Sequence, residues 1–368
     1  MMQEDARERL DARLRGIPSN GFHGLVAKLC ELDTFKGWWQ GRDVSDRSSL
    51  QRVRRRVVKV SAAASLRIGG MDRPQGAARP RQVGGRGEHA ELDAGHVSGY
   101  AELLRAVFDD YRRMPLGQDL ILQFHARLLK YSPADHAHRG RYKTVAESAR
   151  PYLRRRMESR ALRSVGPDLT PHAMAAATEW TSARLGALEF HPLLVIAGFV
   201  LELLAIRPFV NGNGRVSRVL TNYLLLQCGY TFVPYASLER AIADRWAEYY
   251  VALRQSQAKV HLPHPDITAW LHAFLDAIRF QARAVKRLVE ERPDTSLLSE
   301  NQLGVLRLLE REGEVSNRLV RSELAIPKDT AKQVLNRLHA LNVIRRLGAG
   351  RAVRYRKAPP QEDGGNPR

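Results

Sequence analysis

The chain has 368 residues, enough for two or three domains with separate apolar cores. Hydrophobic residues at 44% and charged residues at 27% suit a folded globular protein and argue against a disordered or membrane-embedded one. The net charge of +20 favours nucleic acid, anionic surfaces or acidic partners, although an Arg-rich solvated surface would give the same number. No run of roughly eighteen uncharged apolar residues occurs, so no membrane association is expected. The acidic start Met1-Met2-Gln3-Glu4-Asp5 lacks the apolar core of a signal peptide. Cys30 and Cys228 lie far apart in apolar contexts and read as reduced thiols, which points to a cytoplasmic protein. The 12 His residues show no metal-ligand spacing.

Taken in order, 6–14, 24–32 and 50–66 carry apolar residues at helical spacing, so the first 65 residues are expected to be helical. Residues 67–90 hold Gly69, Gly70, Pro74, Gly76, Pro80, Gly84, Gly85 and Gly87, which predicts a loop. Helices follow over 98–111 and 118–131, with Phe124 and Leu128 in the core and His125 as a satisfied structural histidine. Residues 139–153, between Gly140 and Pro151, are the strand candidate of this part of the chain. The basic run Arg154-Arg155-Arg156 with Arg160 and Arg163 reads either as a solvated face or as a bias toward acidic partners. Helical patterns continue over 171–188, 192–206, 216–227, 238–257 and 266–290.

One stretch joins two apolar helices: Ile206-Arg207-Pro208-Phe209-Val210-Asn211-Gly212-Asn213-Gly214-Arg215-Val216-Ser217-Arg218. Glycines on both sides of Asn213 permit a sharp turn and close approach to a ligand. The loop opens a helix, whose free N–H groups and dipole favour an anion. Arg215 and Arg218, three apart, project to the same side. The physical reading is a phosphate cradle; the competing one is a plain helix–loop–helix joint.

This stretch resembles the Fic family signature HPFxDGNGRxxR. His191-Pro192-Leu193, the segment Arg139-Gly140-Arg141-Tyr142-Lys143-Thr144, Pro234 to Glu239 and Glu248-Tyr249-Tyr250 extend the resemblance over about residues 20–285. The resemblance implies a mainly α fold: a Fic-type helical core with a small β-hairpin flap. It also implies AMP transfer from ATP to a hydroxyl side chain of a target protein, with the glycines, Asn213, Arg215 and Arg218 as phosphate ligands. Arg141, Tyr142, Lys143 and Thr144 would belong to the flap that aligns an unknown target protein.

Three positions depart from the pattern. Arg207 stands at the catalytic His and cannot act as a base, because guanidinium stays protonated. Losing a positioned base costs about 100- to 10,000-fold. Asn211 stands at the acid that holds Mg2+, so a Mg2+ site would be weakened. Val60 to Gly70 resembles the family's regulatory helix with its S/TxxxEG motif; Ser65 and Gly70 match, but Gly69 replaces the Glu that pairs with the second Arg. The resemblance therefore implies that the Glu clamp on Arg218 is missing. His138, beside the flap, is the rescue candidate for a base.

Toward the C-terminus, Ser299 is a plausible N-cap for a helix over 300–312. Helices over 316–324 and 328–341 and a hairpin over 343–347 and 351–356 complete a winged helix-turn-helix. Residues 299–357 hold thirteen Lys/Arg against six Asp/Glu. Lys328, Thr330, Lys332 and Gln333 are candidates for base contact, and Arg346 and Arg354 for phosphate contact. Dimerisation or protein docking is the competing use of this domain.

The expected organisation is an N-terminal helical region at 1–95, the core at 96–290, the winged domain at 291–358 and a disordered tail at 359–368. Three functional readings compete: an ATP-binding pseudoenzyme, a transferase with altered mechanism, and a DNA-binding regulator whose core only forms a homodimer.

Overall fold

The run Pro192–Ile206 carries one charge, Glu202, and folds as a helix buried from Leu193 to Leu203. Such a segment needs neighbours on every side. In the computed structural model they are α6 (Thr170–Ala187), α8 (Asn213–Gln227) and α10 (Trp246–Gln257) packed around this central helix α7. Helix α1 (Met2–Arg15) docks as well, because the buried Arg13 guanidinium neutralises Glu202 and Arg9 adds a second bond. Helix α2 spans Ser19–Gln40, α3 Arg47–Met71, α4 Arg86–Asp110, α5 Gln118–Leu128, α9 Leu238–Asp244 and α11 Thr268–Glu290. The structure describes residues 2–42, 47–71, 86–145, 164–260, 262, 265–290, 299–341, 343–348 and 353–358.

Helices α4 and α5 cross with their backbones in contact. A Cβ at Gly99 would sit 2.2 Å from the Leu128 carbonyl oxygen, and one at Gly95 2.2 Å from that of Tyr131. Only glycine permits this approach, and it sets the position of α5, which carries His125.

The chain divides into two compact units, Met1–Val285 and Lys286–Arg368. In the second, α12 (Glu300–Glu312) begins with a reciprocal capping box between Ser299 and Gln302. Strand β1 (Glu314–Val315), helix α13 (Asn317–Leu324), helix α14 (Lys328–Ala340) and strands β2 (Ile344–Leu347) and β3 (Arg354–Lys357) follow. The sheet is antiparallel in the order β1-β3-β2. Val305, Leu309, Val320, Leu335, Leu338 and Ile344 form its separate core.

The mainly helical architecture with a small antiparallel sheet agrees with the sequence reading. Several details differ. Residues 67–71 continue α3 and helix α4 already starts at Arg86, so both ends of the expected loop are helical; its remaining residues, 72–85, lie outside the described residues. Helix α4 also runs across residue 95, where a domain limit was expected. Residues 238–257 form two helices broken at Arg245. Residues 139–145 carry turns without a strand; the rest of the flap and its basic run, 146–163, lie outside the described residues, as does the tail 359–368. The third strand, β1, carries only two residues, too few to show a period. Among the described residues no helix is long and apolar enough to cross a membrane.

Candidate functional site

The cradle is built by residue 213. Asn213 accepts from the Phe209 N–H through Oδ1 (2.9 Å) and donates through Nδ2 to the Phe209 carbonyl (2.8 Å), closing the loop on itself. Gly212, at φ 84, turns the chain into α8, and Val216 N–H bonds back to its carbonyl. The Asn213, Gly214 and Arg215 amides open the helix, and the first amides of a helix have no intrahelical acceptor. Phe209 is fully buried and anchors the loop.

His125 is what holds Phe209. Its ring stacks on Phe209 at 3.8 Å and 8°. Gly140 N–H donates to Nδ1 (3.0 Å), which leaves the proton on Nε2 to donate to the Asn211 carbonyl (3.1 Å). Burial pushes this imidazole down to about 4, so it stays neutral. Sequence reading placed His125 in the core but not at the loop; its period marks burial and says nothing of its neighbour 84 residues on.

Asn211 is exposed, but both ends of its carboxamide are bonded within the protein. Its Nδ2 donates to Asp135 Oδ1 (3.1 Å), and its Oδ1 accepts from Gly212 N–H (2.8 Å) and from Arg215 Nη2 (3.3 Å). Asp135 also accepts from Ser132 Oγ (2.7 Å) and faces His96 Nε2 (3.0 Å) and His138 Nε2 (3.2 Å). Burial alone would raise the Asp135 carboxyl, but the bonds from His96, Ser132 and Asn211 outweigh it and hold it well below the ordinary carboxylate range. With both Asn211 and Asp135 saturated by donors, this set does not fit a resident Mg2+ ion. Among the described residues no cluster of metal-binding side chains occurs. His138 is tied to Asp135 through one nitrogen, and its buried Nδ1 finds no partner.

Two arginines face the start of α8 differently. Arg215 Nη1 is buried without a hydrogen-bond partner, and burial pulls the guanidinium down to about 10. Arg218 is only 8% exposed and is held by α3: Nη2 donates to Ser65 Oγ (2.8 Å) and the Ser65 carbonyl (3.1 Å), and Nε to Ser65 Oγ (3.2 Å). The motif offers Arg218 no Glu, since residue 69 is Gly; its serine takes the arginine instead. Gly69, one turn on, is exposed with open space around a would-be Cβ. Next to this contact lies a buried carboxylate, Glu239, which accepts from Tyr100 Oη (2.7 Å), Asn222 Nδ2 (2.8 Å) and Ser237 Oγ (3.1 Å). Ser61 reaches the same group through Ser237 (2.8 Å), so α3 docks by two serines a turn apart.

Residues 115–225 match the Fic/DOC family. The Fic fold extends beyond this segment. A Fic family protein from Desulfovibrio desulfuricans G20 aligns with a TM-score of 0.58 at 20% identity, over 95% of this chain and 98% of that one. Fic-1 from C. elegans aligns at 0.53 and 18% identity, over 73% and 74%. Likenesses at these identities establish the fold.

In the Fic core Arg207 caps α7 in the left-handed region, at φ 50 and ψ 64, and is half-buried. Lys143, expected on the flap, is instead buried: its ammonium bonds the Ile206 carbonyl (2.9 Å) and Ser164 Oγ (3.2 Å), and its N–H bonds the Pro208 carbonyl. A cation suits the exposed carbonyls at a helix C-terminus. Tyr142 leans on Phe209 and donates to Gln118 Oε1 (3.0 Å); Arg141 and Thr144 are exposed. His191 caps α7 through Nδ1 and bonds Asp33.

In the C-terminal unit Lys328, Lys332 and Gln333 are exposed on α14, whereas Thr330 is half-buried. Arg346 and Arg354 do not share a face. Arg346 pairs with the buried Tyr355, while Arg354 pairs with Leu347 one register step on.

Proposed function

We propose that the Fic core binds the phosphates of a nucleotide such as ATP at the N-terminus of α8 without efficient AMP transfer. The observation that carries this reading is Arg215: its buried Nη1 makes no hydrogen bond within the protein, and it belongs to the first turn of a helix whose open amides favour an anion. Gly212, Asn213 and Gly214 shape the cradle. Arg218 would complete it once released from Ser65, so the described arrangement is the closed one. Transfer needs a base, and Arg207 supplies none. His138 is a poor substitute, because its free nitrogen is buried. Magnesium would arrive with the nucleotide rather than wait on Asn211. The basic C-terminal unit is read as a DNA-binding module of the same protein.

Calorimetric titration of ATP, with and without Mg2+, tests the reading on four proteins. Wild type should bind, Arg215→Ala should lose binding, and Ser65→Ala should bind more tightly. Arg207→His/Asn211→Asp should gain self-labelling from labelled ATP. Absence of binding by wild type would sink the nucleotide assignment. Wild-type labelling as fast as the double variant's would sink the pseudoenzyme assignment.

A further inference from the structure

Helix α14 buries Ala331, Val334, Leu335 and Leu338 and exposes Lys328, Asp329, Lys332, Gln333, Asn336 and Arg337. The outward face from 328 to 340 carries no Val, Ile, Leu, Met, Phe, Tyr or Trp side chain. Protein interfaces concentrate such side chains in their cores, so this face is ill suited to dimerisation. Three cations against one acid make it electropositive, and Asp329, in the first turn, also answers the helix dipole. Gln333 and Asn336 stand three apart and therefore project side by side in the middle of this face. A carboxamide offers one donor and one acceptor at the spacing of adenine N6 and N7, a pattern that the major groove displays and phosphate does not. On the wing, Arg345 pairs with Arg356 and Leu347 with Arg354, which puts Arg345 and Arg354 on the face opposite to the buried Tyr355. Arg356 is committed to Glu314, so among the described residues of that face Arg345 and Arg354 are the cations left to meet a ligand.

We propose that the C-terminal unit reads duplex DNA through α14, with Gln333 and Asn336 selecting adenines in the major groove and Lys328, Lys332, Arg345 and Arg354 contacting phosphates. This rests on the DNA-binding reading above and adds its readout. Phosphate contacts give affinity and salt dependence without sequence preference, while base-edge contacts give preference.

The test uses the full-length protein. A pool of random duplexes is selected on it and sequenced, and anisotropy titrations compare the enriched site with an unenriched duplex across salt. The enriched site should contain adenine. Gln333→Ala and Asn336→Ala should each weaken it by roughly tenfold and leave the unenriched duplex nearly unchanged. Lys332→Ala should weaken both duplexes alike and lower the salt slope by about one. Circular dichroism verifies that the variants fold. Binding without preference, an enriched site lacking adenine, or an unchanged preference in Gln333→Ala and Asn336→Ala would overturn the adenine readout while leaving DNA binding intact. No binding to any duplex at low salt would overturn both.

Discussion

His125 and Asn211 show how single groups fix the cradle. His125 is fully buried, accepts from Gly140 and donates to Asn211, so it must stay neutral. The unfolded chain binds its proton near 6.5, the folded one only near 4. Stability is therefore complete above pH 6.5 and falls as the pH drops toward 4, by roughly 2–4 kcal/mol from this residue. Urea melts of wild type and His125→Gln at pH 7 and pH 4.5 measure it; an equal pH dependence in the two would refute the assignment. Asn211→Asp replaces a donor to Asp135 by a second carboxylate at hydrogen-bond distance. Arg215 offsets part of the repulsion, and a net loss of about 1 kcal/mol at pH 7 is expected, shrinking toward pH 5 as one carboxyl takes a proton. A variant as stable as wild type at both pH values would contradict this. The left-handed backbone at residue 207 suits His as well as Arg, so Arg207→His should fold.

At the scale of elements, the site depends on how helices are seated. The α4–α5 crossing brings His125 under Phe209, and Gly99 makes it possible. Gly99→Ala would drive a methyl into the Leu128 carbonyl, where neither backbone yields easily. A loss of about 3 kcal/mol is expected from such overpacking, with nucleotide affinity falling too because α5 shifts; a shift in thermal midpoint under about 2 °C would contradict it. Helix α3 is seated differently, by hydroxyls. Ser61 and Ser65 are both buried on its inner face, one toward Glu239 and one on Arg218. Buried polar groups of this kind specify one docked position, since any other leaves them unpaired.

Two cores serve the whole molecule. Leu335→Ala removes a buried side chain from the second core only and should cost about 3 kcal/mol there. Hydrogen exchange should lose protection over Lys328–Ala340, while Pro192–Ile206 and Asn213–Gln227 keep theirs and ATP titration is unchanged. Loss of protection in both units would show that they unfold as one.

Apolar periodicity determined the helices of both units, because burial of one face imposes its period on the chain. The spacing Gly212-Asn213-Gly214-Arg215 determined the turn and the helix start, because these depend on residues within one turn of each other. The arginine at the base position and the missing Glu were also legible, since they are identities at single positions. The tertiary structure alone decided which groups meet across long separations: His125 under Phe209, Lys143 on the Ile206 carbonyl, Asp135 against Asn211, and Ser65 on Arg218. None of these pairs leaves a local pattern, because a hydrogen bond between distant segments constrains no neighbouring residue. The capture of Arg218 by α3 was therefore invisible until the helices were placed.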